Sequence, residues 1–415
     1  MTAVESTAAG RWAVALAGAV SLAVAMGIGR FAFTPLLPMM LHDGVIDLTS
    51  ASWLASANYL GYLAGALLCT LQPWLAARVV TRPAPVNAPR LVRAGLVATA
   101  ALTLGMALPL PGLWPLLRFA AGVASAIVFV YTSGWCLAQL AQREATALGG
   151  VMYTGPGAGI VVSGLFASAM VQWQWRAAIG WAIFGVLAFA LAALVGRTFR
   201  GAGSAAQRGG AAGAVAASGP PQRAEIGLLA LAYGIAGFGY IVTATFLPVI
   251  ARAALPGSPW LDLFWPIFGA GVVAGALLAT RLRVSGDLRR LLAGCYLVQA
   301  AGIALSVWWP TLAGFAIGSL MLGIPFTAIT FFAMQEVRRL RPGQSASFIG
   351  LLTAMWSIGQ TAGPPLVALL LRRAGDSGAA FTLSLQIAMG ALLAGAVIYV
   401  WMTRAYPFAV IPPHV

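Results

Sequence analysis

Two arginines, Arg30 and Arg118, interrupt long apolar segments of this 415-residue chain. Arg30 lies eight residues, roughly 12 Å, before Pro38, and Arg118 lies five residues, roughly 7.5 Å, after Leu113. A guanidinium offers several N–H donors and a permanent positive charge. If both side chains face one cavity without an acidic partner, that cavity is net positive and favours anionic or carboxylate-bearing ligands.

Both arginines also have a purely structural explanation. Arg30 could lie along apolar surface and carry its charge to the lipid headgroups. Arg118 could donate hydrogen bonds to carbonyl groups of the first apolar helix. The sequence leaves these explanations open beside the ligand-binding one.

Five further polar or aromatic side chains stand in apolar segments and could line the same cavity. Ordinary helix packing explains each of them equally well. Tyr240 is the position equivalent to Arg30 in a repeat described below. With the two arginines, the predicted ligand-binding set is completed by Asn58, Tyr131, Tyr240, Trp356 and Gln360.

Catalytic and metal-binding chemistry has little support in the sequence. The chain has two histidines, and Cys69, Cys136 and Cys295 stand singly, so neither a disulfide framework nor a metal site is predicted. The chain contains no lysine, which excludes the phosphate-binding loop of ATPases. We therefore predict no enzymatic activity, no catalytic residue, no metal and no cofactor.

Composition places the chain in a lipid bilayer. Hydrophobic residues make up 60% of it and charged residues 8%, with a mean hydropathy of +0.90. A helix needs about 20 apolar residues to span a bilayer, so we predict an all-α membrane protein with twelve transmembrane helices. The predicted spans cover residues 12–40, 50–72, 94–111, 113–141, 147–171, 176–196, 226–250, 261–281, 288–308, 310–335, 346–371 and 379–403.

The net charge of +15 reflects orientation rather than nucleic-acid binding. All 24 basic residues are arginines, and most of them follow even-numbered spans. The opposite loops hold Arg176, Arg252, Arg372 and Arg373. Because basic residues prefer the cytoplasmic side of a membrane, we predict that both termini are cytoplasmic and that nucleic acid is not a partner.

Two unrelated patterns recur at the same separation of 210 residues. Gly27-x-Gly29 with Pro38 recurs as Gly237-x-Gly239 with Pro248, and Ala64–Thr70 recurs as Ala274–Thr280. Gly155-Pro156 recurs more loosely as Gly363-Pro364, 208 residues later. A shared separation predicts an internal duplication, as found in many transporters.

The duplication divides the chain into two pseudo-symmetric six-helix bundles. The first bundle is predicted at residues 1–197 and the second at residues 226–415. Residues 198–225 are rich in Gly, Ala and Ser, a composition that forms no packed core, so they are predicted to be a flexible cytoplasmic linker.

Glycines and prolines within the spans are predicted to shape the helices that move. Glycine permits close helix contact, so Gly61-x-x-x-Gly65 and Gly271-x-x-x-Gly275 mark the contact faces of the second and eighth spans. Proline removes a backbone hydrogen bond and bends a helix beside a cavity. The predicted bending and gating positions are Gly27, Gly29, Pro38, Gly155, Pro156, Gly237, Gly239, Pro248, Gly363 and Pro364.

These features together resemble the major facilitator superfamily. The resemblance is carried by the two six-helix halves, the basic central linker, Arg118-Phe-Ala-Ala-Gly122 and Gly155-Pro156-Gly-Ala-Gly159. The run from Gly27 to Met40 is similar to the first-helix signature of its YbfB/YjiJ-like bacterial branch. The charged motif that usually follows the second helix is degenerate here, since no aspartate stands between Gly65 and Arg78.

The resemblance implies a multi-pass protein of the bacterial inner membrane that transports a small molecule by alternating access. It also implies that the protein is surrounded by lipid and is a monomer. The net-positive cavity favours a small organic anion or amphiphile. Proton coupling needs a titratable group tuned by burial, and Asp262 at the mouth of the eighth span is the candidate, although a surface aspartate is a plainer explanation. A drug/proton antiporter and a non-transporting sensor on the same scaffold remain alternatives.

Overall fold

The computed structural model describes residues 3–79, 86–200, 220–258, 260–281, 286–340, 345–374 and 376–407, and these residues form helices joined by turns. The helices of the first half are α1 (Ala3–Leu22), α2 (Phe33–His42), α3 (Leu48–Val79), α4 (Ala88–Gly105), α5 (Trp114–Gln142), α6 (Gly149–Met152), α7 (Gly155–Gln172) and α8 (Ala177–Gly196). The helices of the second half are α9 (Pro220–Ala254), α10 (Phe264–Arg281), α11 (Leu288–Trp308), α12 (Leu312–Leu340), α13 (Ser345–Ala374) and α14 (Ser377–Ala405).

Ten helical segments of the described residues are long and apolar enough to cross a membrane. The first of them, Gly10–His42, combines α1 and α2, and the fourth, Thr146–Gln172, includes α6 and α7. The two predicted spans outside this set correspond to α4 and α13. Both are integral to the packing, since α4 contacts α5 and α8 while α13 contacts α3, α9 and α14.

The first span is interrupted, whereas the sequence analysis predicts one bent helix over residues 12–40. A π-helical segment, Ala23–Ile28, follows α1, and residues 29–32 form a turn before α2 begins. Pro35 explains the position of the turn, because its ring excludes the regular bond to the carbonyl of Phe31. Thr34 N donates to Phe31 O at 3.1 Å and so leaves the carbonyl of Arg30 without its helical partner.

Glycine pairs form the predicted contact faces of the second and eighth spans, which confirms that part of the sequence analysis. A Cβ atom on Gly61 would lie 1.9 Å from the backbone oxygen of Phe119 on α5. A Cβ on Gly275 would lie equally close, at 1.9 Å, to the backbone oxygen of Ile324 on α12. The α3–α5 and α10–α12 contacts are therefore equivalent in the two halves and depend on the missing side chains.

Gly122 and Gly134 on α5 provide a matched test of this packing. A Cβ on Gly122 would lie 2.1 Å from the carbonyl oxygen of Asn58, whereas a Cβ on Gly134 has no neighbour within 4 Å. We expect Gly122→Ala to lower the free energy of unfolding by about 1–3 kcal/mol, because backbone atoms must shift. Gly134→Ala should not lower it and should raise it by up to about 1 kcal/mol, because alanine favours a helix interior over glycine. Thermal unfolding of both variants in detergent tests this, and equal unfolding temperatures would contradict the close-contact explanation.

The two halves meet mainly along three pairs of helices. These pairs are α2 with α9, α3 with α13, and α7 with α10. Between α2 and α9, Thr34 Oγ1 donates to Ala244 O at 3.0 Å, and these two residues are 210 positions apart. Equivalent positions of the two sequence copies are therefore neighbours, as expected on an axis that relates one half to the other.

The predicted linker, 198–225, is helical at both of its described ends. Thr198–Arg200 forms a 3₁₀ turn, and α9 begins at Pro220 rather than at residue 226. Proline is common in the first turn of a helix, where no N–H partner is required, so this start was readable from the sequence. Residues 201–219 lie outside the described residues.

Both described chain ends lie at one end of the bundle, here called the terminal end. α3 and α5 finish there, and α11 and α13 begin there. The opposite end, here called the loop end, holds His42 and Trp309. The antiparallel contacts of Ser125 with Ala25 and of Cys136 with Val14 fix the direction of α5 relative to the first span.

A buried ion cluster ties four elements together at the terminal end. Arg289 is 0% exposed and binds Asp287 at 2.8 Å and Glu225 of α9 at 2.9 Å. Its guanidinium also donates to Met402 O and Tyr406 O of the last helix. Glu336 of α12 lies 3.7 Å from the same guanidinium. Burial raises the pKa of Asp287, but the hydrogen bonds and charge of Arg289 outweigh burial and the net shift is downward.

Candidate functional site

Arg30 lies in the interruption of the first span and is 2% exposed. Its Nη2 donates a hydrogen bond to Oε1 of Gln360 on α13, so it reaches from the first half into the second. Its Cζ lies over the ring of Tyr62 at 4.2 Å and over that of Tyr59 at 5.1 Å. The aromatic faces stabilise the cation but supply no negative charge.

Gln360 connects Arg30 to Tyr240. Its Nε2 donates to the hydroxyl of Tyr240 on α9, and both side chains are fully buried. Trp356, one turn before Gln360, stacks on Tyr240 with ring centroids 5.3 Å apart and an interplanar angle of 27°. Four of the predicted ligand-binding residues are therefore contiguous, and we call Arg30, Tyr240, Trp356 and Gln360 the central cluster.

Arg118 supports the interruption rather than joining the central cluster. Its guanidinium donates to Gly29 O at 3.2 Å and to Arg30 O at 3.0 Å. The second of these carbonyls is the one that lacks its helical partner. Asn58 Nδ2 in turn donates to Arg118 O at 2.9 Å. Arg118 and Asn58 thus position the backbone that carries Arg30.

Tyr131 and Asp262 lie away from the central cluster. Tyr131 is thirteen residues, about 20 Å, beyond Arg118 on α5, and its hydroxyl donates to Gln72 Oε1 at 3.3 Å. Asp262, at the loop end, forms an ion pair with Arg252. Arg252 is twelve residues beyond Tyr240 on α9, a distance of about 18 Å along the helix.

The predicted gating glycines are all close helix contacts. In the first half, a Cβ atom on Gly27 would contact Gly159, one on Gly29 would contact Thr99, and one on Gly155 would contact Ala19. In the second half, a Cβ atom on Gly237 would contact Trp356, one on Gly239 would contact Leu392, and one on Gly363 would contact Ile241. Among the prolines, Pro38, Pro248 and Pro364 lie inside helices, and Pro156 is in the first turn of α7.

Sequence analysis missed the aromatic surroundings of Arg30. Tyr59 and Tyr62 are three residues apart on α3 and so share one helix face, which was the available signal. Tyr59 OH also lies 2.9 Å from Thr245 Oγ1 of α9. Phe326 and Tyr233 flank Trp356 at 6.0 and 4.7 Å, and ordinary core aromatics look the same in the sequence.

The site is electrostatically positive. Among the side chains that the structure describes, no carboxylate lies within 4 Å of the guanidinium of Arg30 or of Arg118. The Nε atoms of both arginines are buried without a hydrogen-bond partner. Buried charges are normally paired, so this arrangement favours an incoming anion.

A separate groove of about 700 Å³ opens at the loop end of the first half. Its walls include Met40, Trp114, Arg176 and Trp181. Asp43 at its edge accepts a hydrogen bond from Ala177 N at 2.7 Å and so caps α8. None of the residues predicted to bind a ligand lines this groove.

Comparison with known proteins agrees with this architecture. A crystal structure of the nucleoside transporter NupG, in a mutant form, superimposes with a TM-score of 0.69 over 94% of this chain and 99% of that chain, at 13% sequence identity. This likeness shows the fold alone. A chloramphenicol resistance protein of Streptomyces lividans is 30% identical over 207 residues, which is 45% of this chain and half of that protein.

A family model extends the comparison to nearly the full chain. The model described as "Uncharacterised MFS-type transporter YbfB" matches residues 22–400. That range includes the interruption of the first span, the central cluster and all of the gating glycines. The chain therefore belongs to the YbfB family of MFS-type transporters.

Proposed function

We propose that this protein is a secondary active transporter that moves a small organic anion or amphiphile by alternating access between two six-helix bundles. The observation that carries the proposal is Arg30, a buried cation at the junction of the halves whose described partners are an amide and aromatic rings. In this proposal α4 and α13 complete a set of twelve spans.

The terminal end is cytoplasmic in this proposal, and the membrane is the bacterial inner membrane. The distribution of arginine supports this orientation, because most arginines outside the spans follow helices that finish at the terminal end. The resemblance to the bacterial branch of the superfamily supports the choice of membrane.

The described conformation is closed towards the loop end. Every residue from Val24 to Met40 of the first span and from Tyr240 to Pro248 of α9 is buried. The cross-half bonds of Thr34 and Tyr59 lie in the same region. On the terminal side of the central cluster, Tyr153 and Thr330 are only half-buried. This difference supports an inward-facing state, with release to the cytoplasmic side.

Counterflow in proteoliposomes tests the proposed function. The full-length chain is purified, reconstituted and loaded with one unlabelled compound, and uptake of the same labelled compound is followed. The panel contains small aliphatic and aromatic carboxylates, their neutral amides and a nucleoside. We expect saturable counterflow for carboxylates; counterflow of the neutral compounds alone would contradict an anion site.

Drug efflux is a second candidate, favoured by the partial match to the chloramphenicol resistance protein. Expression of the chain in a chloramphenicol-sensitive bacterium tests this candidate. Drug efflux predicts a raised minimal inhibitory concentration that is lost in the Gln360→Ala variant. An unchanged minimal inhibitory concentration, with normal amounts of the protein in the membrane, would exclude efflux of chloramphenicol.

Asp262 is the proposed group for proton coupling, because it is a partly buried acid in a span mouth and pairs with Arg252. We expect Asp262→Asn to flatten the pH dependence of uptake. Asp47→Asn is the control, since the backbone N–H of Ser50 lowers the pKa of Asp47 and keeps it ionised. A pH profile of Asp262→Asn that matches the unmodified protein would dismiss Asp262 as the proton carrier.

A further inference from the structure

The amide of Gln360 occupies the position that an acid would be expected to hold. Arg30 has several N–H donors, yet among the described residues its guanidinium has only neutral hydrogen-bond acceptors, the amide oxygen of Gln360 and the hydroxyl of Tyr62, and Nε has none. A neutral amide oxygen binds a guanidinium less strongly than a carboxylate does, because only the carboxylate adds the attraction between opposite charges, which is strong away from water. The present pairing is therefore open to displacement.

The carboxamide of Gln360 also has the shape of a carboxylate. It is planar, with Oε1 towards Arg30 and Nε2 towards the hydroxyl of Tyr240. A carboxylate in its place would accept from Arg30 through one oxygen. Its other oxygen would accept from Tyr240, whose hydroxyl can rotate and donate.

Aromatic side chains lie beside this position on its terminal side. Trp356 contacts Tyr240, Tyr233 and Phe326, with ring centroids 4.7–6.0 Å away. Trp356 and Phe326 are 7% and 8% exposed, whereas Tyr240 and Gln360 are 0% exposed. The slightly exposed residues at this position are thus aromatic, and Trp356 lies on the side of Gln360 that is nearer the less closed end of the bundle.

We propose that the substrate is an aromatic carboxylate whose carboxylate group displaces the amide of Gln360 from Arg30 and Tyr240 while its ring packs against Trp356 and Phe326. This inference rests on the proposed function of an anion transporter. Gln360 is a specificity-determining residue that holds the site closed until a planar acid replaces it.

If the substrate displaces the amide of Gln360, substitution of Gln360 by a residue that cannot reach Arg30 should strengthen substrate binding. Removing a residue of a binding site normally weakens binding, but removing an internal competitor strengthens it. We expect Gln360→Ala to tighten equilibrium binding of benzoate about fivefold, and Gln360→Asn, whose shorter amide does not reach Arg30, to act in the same direction. Gln360→Glu supplies a permanent internal carboxylate and should weaken benzoate binding at least about tenfold.

Binding to the purified full-length chain tests the inference, with labelled benzoate, cyclohexanecarboxylate and benzamide as probes. We expect benzoate to bind about tenfold more tightly than cyclohexanecarboxylate, and benzamide to show no saturable binding. Trp356→Leu should remove most of the preference for benzoate. The control Gln299→Ala removes an equally buried amide on α11 and should leave the affinities unchanged.

The outcomes separate the inference from the proposed function. Equal affinity for benzoate and cyclohexanecarboxylate in the unmodified protein, or weaker benzoate binding in both Gln360→Ala and Gln360→Asn, would overturn the inference. In either case, Arg30-dependent counterflow of carboxylates would leave the proposed function in place. Absence of binding and counterflow for every anion would overturn both.

Discussion

Arg30→Gln is expected to reduce carboxylate counterflow at least about thirtyfold while the variant reaches the membrane in normal amounts. Removing one partner of a buried, hydrogen-bonded charge pair costs about 2–5 kcal/mol, which corresponds to at least this loss of affinity. The fold should survive, because Arg30 has no carboxylate partner among the described side chains and its charge is not needed for stability.

Two controls make the Arg30 result specific. Arg176→Gln removes an exposed arginine at the loop end and should transport normally. Arg30→Lys keeps a positive charge without the planar donor arrangement, so it should retain more transport than Arg30→Gln. Full counterflow in Arg30→Gln would remove the anion site from the proposal.

Arg289→Ala is expected to be the most destabilising single substitution at the terminal end. It leaves Asp287 without its salt bridge, leaves Glu225 and Glu336 with only the partly exposed Arg339 as a cationic partner, and frees two backbone carbonyls. Breaking a buried ion pair in this way costs about 3–5 kcal/mol. Thermal unfolding in detergent, read as loss of the monodisperse chromatographic peak, measures the effect.

Arg290→Ala is the matched control for Arg289→Ala. Arg290 is the next residue on α11 and is exposed. Exposed charges contribute about 0–1 kcal/mol, so its loss should barely change the unfolding temperature. Equal unfolding temperatures for the two variants would show that the cluster does not stabilise the terminal end.

The sequence predicted the elements of this fold through their composition and repetition. Apolar runs placed the spans, and the 210-residue separation paired Gly61 with Gly271. The structure shows these two glycines in equivalent contacts, and it also places Thr34 beside Ala244, a pair with the same separation that the sequence analysis did not name. Ten spans meet the criteria of length and hydropathy, while α4 and α13 are less apolar.

The candidate site was only partly predictable, because its geometry depends on contacts between distant parts of the chain. Arg30 and Gln360 are 330 residues apart, and no local sequence pattern predicts the hydrogen bond between them. Arg118 donates to carbonyls of the first span, as one of its two explanations from the sequence predicts, but the sequence analysis predicted a bend there and not the turn that frees the carbonyl of Arg30. Tyr131 has the right residue type in the right helix but lies too far along it.

Cross-linking of Thr34→Cys with Ala244→Cys, in a protein whose native cysteines are replaced, tests the central claim most directly. These equivalent positions are in contact at the loop end, and alternating access requires them to separate. A short bifunctional thiol reagent should block counterflow in the double variant, neither single variant should be blocked, and release of the cross-link should restore transport. Full transport by the cross-linked protein would contradict the claim that the two halves rock about Arg30.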